Sequence, residues 1–115
     1  MELSGKLNLE SYFPQPDHLF TFWKGRVALY TLLKALGVGP GDEVILPGFT
    51  CVVVANAVLY LDGIPVYADI DPRTYNLSSD TIKPLITKRT KVILAQSTFG
   101  LPPDMDPILA LAERQ

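Results

Sequence analysis

Apolar residues recur every three to four positions in the stretch that directly follows Gly25. This spacing places the side chains on one face of a helix and predicts an amphipathic helix. Gly37 stands where a left-handed helix cap is favoured. Residues 39–42 are rich in turn formers, and the apolar run 43–46, which Pro47 stops, predicts a short strand. The helical stripe consists of Val27, Ala28, Leu29, Leu32, Leu33 and Leu36.

The middle of the chain continues this alternation of helix and strand. Residues 51–61 predict a second helix, although three valines weaken its helical propensity, and Asp62 and Gly63 end it. The apolar runs 65–70 and 91–95 predict two further strands.

Two more helices complete the predicted elements. Pro84 interrupts the third helix if it lies beyond the first turn. The cap of this helix is Ser78 or Ser79. The last helix is expected to begin at Asp104 or Asp106 and to continue through Gln115.

Strands that alternate with helices predict βαβ units and a mainly parallel sheet. Parallel strands need helices on both faces, so the predicted fold is α/β with a three-layer α/β/α arrangement. Three strands are few for such a sheet, which indicates the N-terminal portion of a larger domain. We assign residues 24–115 to this partial domain.

Residues 1–23 are predicted to form a separate, aromatic-rich N-terminal arm. Pro14 and Pro16 break any helix there, and the aromatic residues follow no clear period. Such an arm usually lies on another surface, which could be this domain, the rest of a larger domain or a second subunit. The aromatic residues are Tyr12, Phe13, Phe20, Phe22 and Trp23.

Composition and charge narrow the classes of function. The 115 residues are 48% hydrophobic and carry a formal net charge of −2, which supports a packed core and gives no basis for nucleic-acid binding. The single cysteine, Cys51, excludes an internal disulfide and favours a reducing, cytoplasmic setting. No signal peptide is visible, and no apolar stretch reaches the ~20 residues of a membrane helix, so no membrane partner is expected.

Three sequence phrases in fixed order carry the candidate chemistry: GRVAL at 25–29, GPGDEVILP at 39–47 and DIDPRTYNL at 69–77. They predict a glycine loop that leads into a helix, followed by the elements of an α/β protein. A glycine lets a ligand approach the backbone closely, and the free amides of a helix N-terminus attract a phosphate. Gly25 and Arg26 are therefore candidate phosphate-binding residues.

Five phrases between roughly residues 24 and 109 resemble the DegT/StrS-type sugar aminotransferases. They are Gly-x-x-Ala-Leu, Leu-Gly-x-x-Pro-Gly-Asp-Glu-Val-Ile-x-Pro-x-Phe-Thr, Ala-Asn-Ala-Val, Asp-Ile-Asp-Pro-x-Thr-Tyr-Asn and Gly-x-Pro-x-Asp-Met-Asp. The resemblance implies the large domain of the aspartate-aminotransferase fold and pyridoxal phosphate as cofactor. It also implies an amino donor such as glutamate, a keto group on a nucleotide-linked sugar as acceptor, and a homodimer with sites at the subunit interface.

The resemblance also implies the cofactor-binding residues. Gly25 and Arg26 fall in the loop that meets the cofactor phosphate, where many relatives have threonine at the second position. An arginine can pair with a phosphate directly. Cys51 falls where relatives usually place an aromatic residue that stacks on the pyridine ring, so either another group covers the ring or the cofactor is held less well. Ser97 falls where relatives often have histidine.

The lysine that carries the cofactor and the aspartate that pairs with the pyridine nitrogen come later in the family's order. None of the six lysines of this chain stands in the family's lysine motif. We therefore expect no catalytic residue among these 115 and no transamination by this polypeptide alone. The alternative function is that of a non-catalytic fragment that serves only as an interaction module.

A magnesium-dependent phosphatase is a third hypothesis. Asp69 and Asp71 follow an apolar run, as do the paired aspartates of the haloacid-dehalogenase-type phosphatases. That motif needs threonine or valine two residues after the second aspartate, and Arg73 stands there instead. No metal site is predicted elsewhere, because His18 is the only histidine and has no cysteine partner nearby.

Overall fold

In the computed structural model, which describes residues 19–113, three strands alternate with four α-helices. Two single 3₁₀ turns, Lys83–Leu85 and Thr98–Gly100, add to these elements. In chain order the helices and strands are α1 Gly25–Ala35, β1 Glu43–Pro47, α2 Val52–Leu59, β2 Ile64–Ala68, α3 Ser79–Ile82, β3 Thr90–Ile93 and α4 Met105–Ala112.

The strands form one parallel sheet in the order β2-β1-β3. Ile45 of the central strand aligns with Val66 of β2 and with Ile93 of β3. We call the side where the strands end, at Pro47 and Ala68, the carboxyl edge, and the opposite side the amino edge. All five residues of β1 are buried, as expected for a parallel strand with helices on both faces.

Successive residues of β1 face two separate apolar cores. Val44 and Leu46 pack with Leu33 of α1 and with α2, whereas Ile45 packs on the other face with α3 and α4. The second core contains Ala68, Leu77, Ile82 and Ile108. The sheet thus lies between two helix layers, which confirms the predicted α/β/α arrangement.

Several helix ends match the sequence signals. Gly37 adopts a φ of 77° directly after α1, as its predicted capping role requires. Ser78 caps α3 through a capping box in which Thr81 N–H donates to the serine hydroxyl and the Thr81 hydroxyl accepts from Ser78 N–H. Pro84 lies in the 3₁₀ turn into which α3 passes.

The predicted bounds of five elements were wrong by a few residues. β1 includes Pro47 instead of ending before it, and α2 spans Val52–Leu59 rather than 51–61. β2 ends at Ala68 rather than at residue 70, because the Asp69 carboxylate accepts from the Ile70 N–H and draws the backbone out of the ladder. β3 spans Thr90–Ile93 rather than 91–95. Helix α4 ends at Ala112, with Glu113 as its C-cap, instead of continuing to Gln115.

Most of the predicted arm, residues 1–18, lies outside the described residues, so the boundary at residue 23 stays a prediction. In the described part, Phe20 and Trp23 are exposed, and the Lys24 ammonium lies 3.9 Å from the centroid of the Trp23 ring. Within residues 19–113, no helix combines the length and apolar character needed to cross a membrane.

Candidate functional site

A cavity of about 520 Å³ lies at the carboxyl edge, between the loops that follow β1 and β3. The chain leaves β1 through α2 toward β2, and it returns through α3 to β3 on the opposite side of β1. In open α/β sheets, ligands bind outside the strand ends where the strand order reverses in this way. The lining residues are Phe49, Thr50, Cys51, Gln96, Ser97, Thr98 and Phe99.

Two sets of hydrogen bonds fix the shape of the cavity. The Thr50 hydroxyl donates to Gln96 Oε1 at 2.6 Å and joins the two loops directly. Asn76, which is only 1% exposed, accepts from the Thr98 N–H at 3.0 Å and donates from Nδ2 to the Leu101 carbonyl at 2.8 Å. One buried amide therefore clamps both ends of the loop after β3.

Aromatic side chains stand at the mouth of the cavity. The Phe49 ring centroid lies 6.0 Å from that of Tyr75 and 6.2 Å from that of Phe99, both in tilted geometry. Tyr75 and Phe99 both have positive φ values, 58° and 53°, which bulky residues seldom adopt. Phe99 is 81% exposed. This edge therefore combines backbone strain with unburied aromatic surface.

Cys51 is the exposed N-cap of α2, and its side chain makes no capping hydrogen bond. The first turn of α2 contains no acidic residue, so the positive end of the helix is not neutralised by its own residues. The cavity thus has a thiol and an open helix N-terminus on the side of β1.

Gly25 and Arg26 begin α1, whose other end lies at the amino edge, where the Lys91 ammonium donates to the Gly37 carbonyl at 2.7 Å. The 11 residues of α1 span about 16 Å, about the length of a five-residue strand, so the first turn of α1 reaches the carboxyl edge. Gly25 and Arg26 do not line the cavity itself. The structure therefore brings Cys51 into the cavity, whereas the position of Gly25 and Arg26 near the carboxyl edge is inferred from the length and direction of α1.

The first turn of α1 has the features of an anion site. Val27 and Ala28 already donate to the Lys24 carbonyl, which leaves the amides of Gly25 and Arg26 without an intrahelical acceptor. No side chain caps this helix, and its first turn contains no acidic residue. A methyl group added at Gly25 would meet nothing within 4 Å. Local packing therefore does not require a glycine here.

Asp69 and Asp71 serve the turn after β2 rather than the cavity. Asp71 accepts from the backbone N–H of Arg73 at 2.8 Å and pairs with its guanidinium at 3.0 Å. Hydrogen bonds from the Arg73 side chain lower the pKa of Asp71. Among residues 19–113, no group of three or more His, Cys, Asp or Glu side chains could hold a metal ion.

The family model of the DegT/DnrJ/EryC1/StrS aminotransferases matches residues 8–115, which is nearly the whole chain. The chain belongs to this family. Membership agrees with the resemblance of the five phrases and leaves the phosphatase hypothesis without support.

Individual relatives are similar over most of this chain. A GDP-perosamine synthase of Caulobacter vibrioides is 46% identical over 97 residues, which are 84% of this chain and 26% of that protein. A UDP-2-acetamido-2-deoxy-3-oxo-D-glucuronate aminotransferase of Pseudomonas aeruginosa is 52% identical over 90 residues, which are 78% of this chain and 25% of that protein. The chain therefore spans about a quarter of the length of these relatives.

Solved structures give the same result for the fold. NtdA from Bacillus subtilis, solved with bound cofactor PMP, superposes with a TM-score of 0.76 at 42% identity. The superposition covers 78% of this chain and 21% of the NtdA chain. This likeness agrees with the predicted α/β fold of the aminotransferase large domain.

Sequence reasoning missed two of the residues that build the cavity. In the sequence, Asn76 was only the last residue of a family phrase, and no role was predicted for it. In the structure it clamps the loop after β3. Gln96 gave no signal, because its partner Thr50 lies 46 residues away in the chain. For Asn76, its place in the phrase Asp-Ile-Asp-Pro-x-Thr-Tyr-Asn is the feature that could have pointed to a role.

Proposed function

We propose that the protein to which this chain belongs is a pyridoxal-phosphate-dependent aminotransferase. It transfers an amino group from a donor such as glutamate to a keto group on a nucleotide-linked sugar. The family match over residues 8–115 carries the proposal, and the cavity at the point where the strand order reverses supports it. The names of the two relatives support a nucleotide-linked acceptor.

The residues at the carboxyl edge fit this cofactor. The free amides of Gly25 and Arg26, with the Arg26 guanidinium, would hold the phosphate, since a helix N-terminus and an arginine both favour a dianion. Cys51 would line the space for the pyridine ring, where a thiol leaves more room than an aromatic ring would. When bound, the cofactor supplies an electron sink for the reaction, and the protein binds and orients it.

We further propose that the lysine that carries the cofactor lies outside these 115 residues. Within the described residues, no lysine lines the cavity. Lys91, for example, is engaged at the amino edge with the Gly37 carbonyl and with Asp42. This polypeptide alone would then bind the phosphate end of the cofactor without catalysing amino transfer.

A homodimer is the proposed assembly, and exposed apolar side chains are consistent with it. Leu59 and Tyr60 at the end of α2, and Tyr67 on the outer strand β2, are all more than half exposed. Apolar surface of this kind often marks a contact between subunits. The same observation supports the alternative that this chain serves only as an interaction module. A cytoplasmic location remains a prediction from the single cysteine.

The deciding experiment compares Arg26→Ala with a matched control, Arg73→Ala, in the protein. Both arginines are exposed, but Arg73 pairs with Asp71 in the turn after β2. Loss of a charge-assisted phosphate contact should weaken binding of pyridoxamine phosphate about tenfold or more in Arg26→Ala and leave it unchanged in Arg73→Ala. Equal affinities in the two variants would contradict the phosphate role of Arg26.

A second measurement separates the enzyme from the interaction module. The 115-residue chain and the longer protein are each incubated with pyridoxal phosphate, reduced with borohydride and analysed by mass spectrometry. We expect a lysine adduct in the longer protein and none in the 115-residue chain. A reduced adduct on one of the six lysines of the short chain would overturn the proposal that the cofactor-carrying lysine lies outside these 115 residues.

A further inference from the structure

Phe99 is placed unlike any core residue of this chain. It lines the cavity, yet 81% of its surface is exposed. Burial of a phenylalanine side chain stabilises a fold substantially, so an exposed phenylalanine at a cavity forgoes that gain. A ligand that covers the ring would recover it.

The backbone that presents Phe99 is strained and held in place. Phe99 and Gly100 are consecutive left-handed residues, with φ values of 53° and 84°. Such strain persists only where the surroundings enforce it, and it concentrates at functional sites. Here the enforcing group is the buried Asn76 amide, which binds the Thr98 N–H before the ring and the Leu101 carbonyl after it.

The direction of the Phe99 ring is limited on one side by Phe49. The two centroids lie 6.2 Å apart at an interplanar angle of 54°, and Phe49 is itself placed by Tyr75. Such tilted contacts are favourable for aromatic pairs. The remaining surface of the Phe99 ring is open and offers a flat apolar face to a planar ligand.

Cys51 lines the same cavity and has no π-face of its own. We propose that Phe99, positioned by Asn76, is the residue that stacks on the pyridine ring of the cofactor and so takes the part that an aromatic residue at position 51 would play. This inference rests on the proposed function. It assigns a binding role to Phe99 and a positioning role to Asn76.

The test measures binding of pyridoxamine phosphate to the cofactor-free protein by equilibrium dialysis, so activity is not needed. Phe99→Leu keeps an apolar side chain but removes the π-face, and it should raise the Kd about two- to tenfold. Phe99→Tyr should retain the wild-type Kd. Phe20→Leu is the matched control, because Phe20 is a similarly exposed phenylalanine that does not line the cavity.

A second variant pair tests the exchange of roles directly. Adding Cys51→Tyr to Phe99→Leu supplies a new aromatic face on the other loop and should bring the Kd back toward the wild-type value. Circular dichroism in the absorption band of bound pyridoxamine phosphate should weaken in Phe99→Leu and recover in the double variant. If Phe99 had only a structural role, neither the Kd nor the circular dichroism signal would recover in the double variant.

Each negative outcome has a distinct meaning. If Phe99→Leu binds as tightly as wild type while Arg26→Ala does not, the stacking role is wrong and the proposed function stands. If wild-type protein does not bind pyridoxamine phosphate at all, the proposed function fails. If Phe99→Leu lowers the melting temperature of the cofactor-free protein, the ring packs against another part of the protein and the stacking proposal is overturned.

Discussion

The two edges of the sheet use their polar residues in different ways. At the amino edge, Glu43 is only 4% exposed, and its carboxylate is paired with the Arg89 guanidinium at 2.6 Å. The hydroxyl groups of Thr87 and Thr90 donate to the same carboxylate. This network ties the start of β1 to the segment that leads into β3.

The carboxyl edge has no ion pair among the residues that line its cavity. Its clamp is the neutral amide of Asn76, which holds a loop instead of a strand. Left-handed residues also differ between the edges. Asp62, which tolerates this conformation, occupies it in the turn before β2, whereas Tyr75 and Phe99 occupy it near the cavity.

The difference indicates that the amino edge stabilises the fold, whereas the carboxyl edge contains the cavity of the proposed site. Hydrogen bonds at the amino edge join elements that already pack together. Those at the carboxyl edge keep strained loops open around a cavity, and unburied aromatic rings remain there. Substitutions at the two edges should therefore separate stability from cofactor binding.

The largest effect is expected for Asn76→Ala, because it breaks the clamp and leaves the Thr98 N–H and the Leu101 carbonyl without their partner. The free energy of unfolding should fall by about 2–4 kcal/mol, measured by urea unfolding of the protein. Asn56→Ala is the control, since Asn56 lies in α2 and alanine favours a helix. Equal losses in both variants would refute the clamp.

Glu43→Gln tests the amino edge and should have the next largest effect. Hydrogen bonding by Thr87, with the Arg89 charge adding to it, lowers the pKa of Glu43 below its ordinary value of 4.5. A lowered folded-state pKa contributes stability that is fully present above about pH 4.5 and is lost as the pH falls through the folded pKa. The variant should therefore melt at a lower temperature at pH 7, and the two melting curves should converge in acid.

Asp69→Asn is the control for that pH dependence, because Asp69 is exposed and bonds only the neighbouring Ile70 amide. Its melting temperature should stay close to that of wild type over the whole range. A constant difference between Glu43→Gln and wild type from pH 7 to acid would show that the charge of Glu43 does not stabilise this edge.

Local chemistry made much of the fold predictable from the sequence. The apolar stripe after Gly25 and the apolar run of β1 predicted a helix and a strand, and Gly37 and Ser78 predicted helix ends, because each signal acts within a few residues. Strand ends were less predictable. At β2 a side chain competed with the ladder for a backbone amide.

The cavity was less predictable than the fold. Cys51 was placed by the family's phrases and does line the cavity. Phe99 is left-handed in a loop that Asn76 holds through Thr98 and Leu101, which lie 22 and 25 residues later in the chain. No local sequence pattern encodes these contacts. Long-range polar contacts therefore account for most of what the sequence did not predict.

Thr50→Val should have a moderate effect at the carboxyl edge. It removes the hydroxyl that donates to Gln96 Oε1, which is half-buried, and should lower the free energy of unfolding by about 1 kcal/mol. Thr31→Val is the matched control, since the exposed Thr31 hydroxyl bonds only within α1. If the two variants lose the same stability, the Thr50–Gln96 bond does not join the loops.

Gly25→Ala should have the smallest effect on stability and is the sharpest test of the comparison. A methyl group meets nothing within 4 Å there, and alanine favours a helix, so the free energy of unfolding should rise by up to about 0.5 kcal/mol. Binding of pyridoxamine phosphate should nevertheless weaken, because the methyl group crowds the approach of a phosphate to the α1 amides.

Gly37→Ala at the amino edge is the control and should have the opposite effects. Its positive φ disfavours alanine, so the free energy of unfolding should fall by about 1 kcal/mol while the Kd for pyridoxamine phosphate stays unchanged. If Gly25→Ala binds pyridoxamine phosphate as tightly as wild type, then phosphate binding does not require a glycine at this position. The proposed division between a stabilising amino edge and a binding carboxyl edge would then lose its strongest support.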